Sequence, residues 1–319
     1  MNSNIKPYLG KSSTTHLFLF TTPSPPSLSL LSLTNDLLST IDPSSLLNIP
    51  SSLITNLTLY SAHIYLNRIY FLFTYLTNST LTFKCFIHDL SSNQSYPIIL
   101  PDNTFNSINN HISLKHYTSL LEQNKIFFIG GLLQDNKHIQ KSIITFDIST
   151  YTFKKEKFSE FTLCPRYKLG ATSQNGILYV IGGYTSYPED KNNITEEVQF
   201  GKYGFNELHK FNFSKIEHEK PHSHVAPEVL IIQDRYILSF SSDELPKLWI
   251  MDIEDNKGFN YDLREYGFDT CNDISQGIYV QLIDAVFPED EKQTTITLAI
   301  ANTHVKSITV KYLIIKLKE

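Results

Sequence analysis

The sequence predicts an all-β protein, a six-bladed β-propeller of four-stranded antiparallel blades, some of them degenerate. Three observations predict it. First, two seven-residue segments, Lys125-Ile-Phe-Phe-Ile-Gly-Gly131 and Ile177-Leu-Tyr-Val-Ile-Gly-Gly183, repeat one strand, with final glycines 52 residues apart (183 − 131). Second, each is a β-branched and aromatic run entered through a polar turn (Gln123-Asn124; Gln174-Asn175-Gly176) and left through a double glycine. That composition describes a hairpin, a buried strand and a sharp exit. Third, a repeat of about fifty residues built of short strands has the length of a propeller blade, whereas the other common repeats are shorter and mostly helical.

The same strand can be followed along the chain. His16-Leu-Phe-Leu-Phe-Thr-Thr22 comes first, and Arg68-Ile-Tyr-Phe-Leu-Phe-Thr74 follows it by 52 residues (74 − 22), after the turn Leu66-Asn67. Arg235-Tyr-Ile-Leu-Ser-Phe-Ser241 follows Gln233-Asp234, 58 residues beyond Gly183 (241 − 183). A sixth, Gly277-Ile-Tyr-Val-Gln-Leu-Ile283, comes 42 residues later (283 − 241), with Thr294–Ala301 and Ser307–Leu317 to supply the outer strands of its blade. These phases give one domain over 1–319, with approximate blades 8–47, 52–105, 112–163, 167–220, 225–272 and 275–319.

The second half of the repeat carries its own pattern. After Gly130-Gly131 come Ile143-Ile-Thr-Phe146-Asp147, then Phe153, then Pro165-Arg166. Fainter echoes are Leu208-His-Lys-Phe211-Asn212, Trp249-Ile-Met-Asp252 with Phe259, and Cys85-Phe-Ile-His-Asp89 with Tyr96. In this the chain resembles the kelch repeat, which carries a hydrophobic run, a double glycine, a Tyr and a Trp about seven residues later. Phe146 and Phe153 stand at the Tyr and Trp positions, and the full motif survives in two blades only. The resemblance implies a propeller of the galactose oxidase central-domain type. For most such domains it also implies a protein-interaction role.

The composition suits such a fold. Inner strands covered on both faces read as continuous apolar runs, and Gly130, Gly131, Gly182 and Gly183 serve where a Cβ would not fit. The 21 Phe and 18 Tyr are assigned to the wedges between blades. Thr21–Leu33, with its proline cluster, reads as a long loop within the first blade that resumes a half-buried strand around Leu28, Leu30 and Leu33, or else as a leader with the first blade supplied elsewhere. Leu37–Leu47, interrupted by Pro43, reads as a turn-rich connector, and helix as a minor component.

Three scattered cysteines, Cys85, Cys164 and Cys271, fit a reduced cytoplasm or nucleus better than a disulfide framework. Neither a signal peptide nor a membrane anchor is evident. A net charge of −5 and only four arginines, at 68, 166, 235 and 264, disfavour a phosphate-tracking surface. No constellation carries chemistry. His222-Ser-His224 lacks a third metal ligand, Cys164-Pro165-Arg166 reads as a structural thiol at a blade junction, and the acidic run at 288–292 as a solvated connection. No catalytic residue, metal or cofactor is therefore assigned.

The distinctive segment is Tyr184–Phe205, a long connection between Gly183 and a strand expected at Leu208 that mixes aromatic and charged residues. Long connections are often functional, and this composition suits recognition. The expected role is a non-catalytic adaptor that binds a protein or peptide through blade-connecting loops, with Tyr184, Tyr187, Glu189, Asp190, Tyr203 and Arg166 as binding candidates. No F-box, BTB or coiled-coil segment is expected, because the repeats consume the chain. The second reading is a sugar-processing propeller enzyme, an oxidase or a mutarotase. Neither nucleic acid nor membrane is an expected partner.

Overall fold

The computed structural model describes residues 6–9, 16–21, 27–32, 38–50, 52–53, 57–77, 80–101, 111–113, 115–133, 138–140, 142–155, 167–174, 177–181, 201–204, 208–209, 228–241, 245–255, 257–271, 273, 278–287, 293–302 and 307–317. Among these residues, twenty-three strands form six antiparallel sheets. The first is β1 (Lys6–Leu9), β2 (His16–Thr21), β3 (Ser27–Ser32) and β4 (Leu38–Ile41); the second is β5 (Thr58–Tyr65), β6 (Arg68–Thr77), β7 (Thr80–Asp89) and β8 (Gln94–Ile98). The third is β9 (Thr118–Glu122), β10 (Lys125–Ile129), β11 (Ile144–Asp147) and β12 (Thr152–Lys155). The fourth is β13 (Gly170–Gln174), β14 (Ile177–Ile181), β15 (Gly201–Gly204) and β16 (Leu208–His209). The fifth is β17 (Glu228–Ile232), β18 (Tyr236–Ser241), β19 (Lys247–Asp252) and β20 (Lys257–Asp262), and the sixth is β21 (Ile278–Val286), β22 (Gln293–Asn302) and β23 (Ser307–Lys316). In every sheet the strands lie side by side in chain order.

The repeated strand of the sequence is the second strand of its sheet in five cases, namely β2, β6, β10, β14 and β18. The sixth case is a correction. Residues 278–283 belong to β21, the first strand of the last sheet, and β22 holds the second position. The spacing of 42 residues was short by about one strand and one turn, because two apolar strands in succession offered two ways to set the phase. Among the described residues the last sheet accordingly has three strands.

By compactness the chain falls into two units, residues 1–109 with 123–126 and 146–154, and residues 110–122 with 127–145 and 155–319. In the first unit, β1 lies against β5. One face of the second sheet (Ala62, Ile64, Ile69, Phe71, Phe73 and Phe86) is buried with Leu28, Leu47, Ile49 and Leu57. The other face carries a run of ring contacts. Tyr60 meets Phe83 edge-on at 5.0 Å, Phe83 meets Phe153 at 5.0 Å, and Phe153 meets Phe146 at 4.8 Å. The two aromatics read as the kelch Tyr and Trp positions thus touch each other.

One sequence expectation holds in this unit and one changes. The strand expected to resume around Leu28 and Leu30 is β3 (Ser27–Ser32), paired from Thr21↔Ser27 to His16↔Ser32 with Leu28 fully buried. The connector at 37–47 contributes the strand β4 and a short helix, α1 (Pro43–Leu46). Pro43 starts that helix instead of interrupting it: Asp42 is the N-cap, its carboxylate accepting from the Ser44 and Ser45 amides. A proline in the first turn gives up only an N–H that has no intrahelical partner.

In the second unit the first strands β9, β13, β17 and β21 are successive neighbours. This is the packing of propeller blades, so the chain is all-β and propeller-like. The expectation of six blades is corrected to four, in keeping with the four first strands β9, β13, β17 and β21 that follow one another as neighbours. Each junction is apolar. Leu120, Phe127, Ile129 and Ile143 pack with Leu169, Ala171, Leu178 and Val180. Tyr179, Ile181, Val229 and Ile237 enclose Trp249 and Met251. Leu238, Phe240, Leu248 and Ile250 pack with Leu282, Ile296, Leu298, Leu313 and Ile315.

Candidate functional site

The connections divide by end within each sheet. At one end, first-to-second and third-to-fourth strands are joined by tight turns such as 66–67, 90–93, 123–124, 148–151 and 253–256. At the other end lie long connections, among them 130–143, 156–169, 182–200 and 210–227, but β2–β3, β6–β7 and β18–β19 are joined there by only five, two and five residues. Of the candidate binding residues, Arg166, Tyr184, Tyr187, Glu189 and Asp190, like Gly182 and Gly183, lie outside the described residues. Tyr203 is a correction. It sits in the strand β15, opposite Leu178 on β14 and Leu208 on β16. The strand read at Leu208 is therefore the fourth of its sheet, not the third. Gly201-Lys-Tyr-Gly204 hides β15 because glycine at both ends and a charged residue inside give no apolar run.

The root of this end is described in the third sheet. Gly130 and Gly131 have φ of 63° and 89°, in the region that side chains rarely adopt. A Cβ on Gly131 would lie 2.7 Å from the Lys115 carbonyl oxygen, the Ser113 Oγ and the Tyr117 Cβ. The close approach is used: the Leu132 amide donates to the Lys115 carbonyl at 2.8 Å, and the Ser113 hydroxyl donates to the Gly130 carbonyl at 2.7 Å. Gln140, only 3% exposed, completes the network. Its Oε1 accepts from the Ser113 amide at 2.6 Å, and its Nε2 donates to the carbonyls of Phe128 (3.0 Å) and Ser142 (2.7 Å). One buried amide side chain thereby satisfies three backbone groups, each of which costs about 1–3 kcal/mol if left without a partner. The long connection 130–143 leaves from a fixed base.

The opposite end repeats a carboxylate that the sequence reading passed over. Asp89, Asp147 and Asp252 each end a third strand, and each Oδ1 accepts from the amides two and three residues on: Ser91 and Ser92, Ser149 and Thr150, Glu254 and Asp255, at 2.8–3.2 Å. The residue after each aspartate, Leu90, Ile148 or Ile253, donates its amide to the first turn of the same sheet, at Asn67, Asn124 or Arg235. The signal was present as Asp-(Leu/Ile)-polar-polar at 89, 147 and 252, but the aromatic positions drew the reading away from it. A cation begins the second strand beside two of them: Arg68 pairs with Asp89 at 3.2 Å, and Arg235 with Asp252 at 2.6 Å. Arg235 also lies over the Tyr236 ring, which stacks on Phe287 at 4.1 Å.

These contacts set the charges. The Ser92 amide, with Arg68, the Ser91 amide and the Ser92 hydroxyl, outweighs burial and holds the Asp89 carboxyl at about 2. Arg264 does the same for Asp262, also at about 2. For Asp252, burial pulls upward, but Arg235 and the Asp255 and Glu254 amides hold it below the ordinary range. A carboxylate with a depressed folded pKa stabilises the fold above its unfolded value, and that contribution is lost as pH falls through the folded value. The melting temperature is therefore expected to fall between about pH 4 and pH 2. The slope in this window should be shallower for an Asp89→Asn/Asp262→Asn variant, as followed by thermal unfolding; equal slopes would remove these groups as its source.

Other polar groups have structural surroundings. Cys85 is fully buried, and burial pushes its thiol up, which leaves it unreactive. His88 is buried with Nδ1 2.9 Å from the Ser95 hydroxyl. Among the described residues no group of three His, Cys, Asp or Glu side chains is placed to hold a metal, and no helix is long and apolar enough to cross a membrane. The class that fold and site define is an all-β, propeller-like protein of antiparallel sheets. No protein-family model matches the chain, and no curated protein matches it in sequence.

Proposed function

We propose that the chain is a divergent kelch-like propeller, and that it works as a non-catalytic adaptor for a protein or peptide partner in the cytoplasm or nucleus. The observation that carries this reading is the asymmetry of the connections. In the third sheet tight, hydrogen-bonded turns at 123–124 and 148–151 occupy one end and the long segments 130–143 and 156–169 leave from the other, with 182–200 and 210–227 as the corresponding segments of the fourth sheet. Rigid sheets with long connections at one end are how many scaffolds present recognition surfaces. The segment 182–200 brings Tyr184, Tyr187, Glu189 and Asp190, and 156–169 brings Arg166, a set of aromatic and charged side chains of the kind enriched in interfaces.

The test is a deletion bounded to 189–200, because Lys202 belongs to β15. Intact protein and deletion variant are used side by side to capture partners from native lysate, with mass spectrometry to identify them. A partner held by the intact chain and lost by the deletion, with an unchanged melting temperature, is the expected result. Retention of every partner by the deletion variant would refute this placement.

A further inference from the structure

We infer that the tight-turn end of the second sheet binds a peptide carboxylate between the Arg68 guanidinium and the hydroxyls of Tyr70, Tyr96 and Tyr151, on a partner with a large apolar residue beside its Asp or Glu. The register puts the first three on one face. Arg68 lies opposite Asp89; two residues inward, Tyr70 lies opposite Ile87, and Ile87 opposite Tyr96. The Tyr70 hydroxyl meets the guanidinium. Tyr151, from the turn after β11, brings a third phenol into electrostatic reach of Arg68, Tyr70 and Tyr96. All of these residues belong to the first compact unit.

The fifth sheet shows the same end without such a site. Two residues inward from Asp252 its row is Leu238, Ile250 and Phe259. Arg235 there is enclosed by carboxylates: its Nε and Nη2 lie 2.9 and 2.6 Å from Asp252, and Glu254 and Asp255 stand at 3.5 and 3.8 Å. In the second sheet the residues two and three after the aspartate are Ser91 and Ser92, and among the described residues Asp89 is the one carboxylate paired with Arg68, at Nε. The terminal N–H groups of a guanidinium form a planar fork that matches a carboxylate, and this side chain is 48% exposed. Two phenols thus stand where the fifth sheet uses leucine and phenylalanine, and packing alone does not require their oxygens. Burial pushes the Tyr70 and Tyr151 hydroxyls up, so both are donors at neutral pH.

Leu66 identifies what flanks the carboxylate. It is 78% exposed at φ of 47°, a conformation uncommon for a large side chain, whereas Gln123 and Gln233 are the positive-φ residues that open the matching turns of the third and fifth sheets. An apolar side chain here gains little from the fold and offers a contact two residues from Arg68. Asp89 selects the charge. Its carboxylate lies 3.2 Å from Arg68, so a phosphate dianion meets more like-charge repulsion than a single carboxylate does. The site uses no residue of the long connections.

The probe is the acetylated, amidated peptide Gly-Leu-Glu-Leu-Gly, added to the full chain carrying nitrogen-15 arginine. The four arginines give four Nε–H resonances, and Arg68→Lys and Arg235→Lys assign two of them. A saturable shift of the Arg68 resonance is expected, with Arg235 unmoved. Glutamine in place of the peptide's glutamate should weaken binding about tenfold or more. So should the double variant Ser91→Glu/Ser92→Asp, which gives Arg68 the carboxylates of the fifth sheet; both positions are exposed, so it should melt close to the parent. Tyr96→Phe should weaken binding about threefold or more. Leu66→Gln should weaken this peptide but not Gly-Gly-Glu-Gly-Gly, and the deletion of 189–200 should bind unchanged. Absence of a saturable Arg68 shift, equal binding of the glutamine peptide, or affinity indifferent to the Ser91/Ser92 variant would overturn the inference. Tighter binding of the phosphoserine peptide than of the glutamate peptide would overturn the choice of a carboxylate.

Discussion

Replacing Gly131 with alanine is expected to destabilise the protein by about 3 kcal/mol or more. The cause lies in the backbone. At φ of 89° an L side chain is already strained, and the new Cβ meets a carbonyl oxygen, a hydroxyl and a side-chain carbon, each at 2.7 Å. Two of these neighbours are fixed by hydrogen bonds, the Lys115 carbonyl to the Leu132 amide and the Ser113 hydroxyl to the Gly130 carbonyl. Neither can retreat without breaking a bond that the buried Gln140 amide helps to hold. Gly267 supplies the control. Its φ is 78°, yet nothing lies within 4 Å of a Cβ there, so Gly267→Ala should cost only about 1 kcal/mol. Urea unfolding of the two variants measures the difference, and equal losses would mean that close approach at Gly131 is not what matters.

The second large effect is at Trp249, the chain's one tryptophan. It is fully buried on β19, among Tyr179 and Ile181 of β14, Val229 of β17 and Ile237 of β18. Trp249→Ala should cost about 3–5 kcal/mol, through lost transfer free energy and the cavity left between the fourth and fifth sheets. Trp249→Phe keeps most of the contact and should cost less than half as much. Chemical unfolding followed by far-ultraviolet circular dichroism gives both values; a loss below 1 kcal/mol for alanine would show that the neighbouring sheets close over the gap.

What could be read from the sequence was what apolar runs and turn residues record. The second strands β6, β10, β14 and β18 were visible because both of their faces are covered, so Ile126, Phe127, Phe128 and Ile129, for example, are all buried and form an unbroken hydrophobic word. Leu66-Asn67 and Gln233-Asp234 marked the hairpins, and all four residues do have positive φ. Outer strands were less legible. β12 buries Phe153 while exposing Lys154 and Lys155, and β15 is bounded by glycines. The last sheet was mis-phased because Ile278–Val286 and Gln293–Asn302 are both long, apolar and β-branched, so composition alone could not rank them.

The candidate site was legible in part. The double glycine announced a special backbone at 130–131, but its partners Ser113 and Gln140 are ordinary polar residues whose burial no local pattern reveals. The aspartates at 89, 147 and 252 were the opposite case, in plain view and mutually in phase. Hydrogen bonding from Asp to the next turn is a local rule, and weighing it beside the aromatics would have identified the tight-turn end directly.

Because every sheet is assembled from strands that follow one another in the chain, assembly need not wait for distant segments. The first sheet has all its strands by Ile41 and the second by Ile98, so pairing partners lie within a few tens of residues of each other. Loops this short cost little entropy to close, which favours fast formation of each sheet. On the ribosome, one sheet can be complete while the next is still being synthesised, and each new one emerges beside an apolar face that is already formed. Within the second unit, where β9, β13, β17 and β21 are successive neighbours, the order of synthesis then becomes the order of stacking.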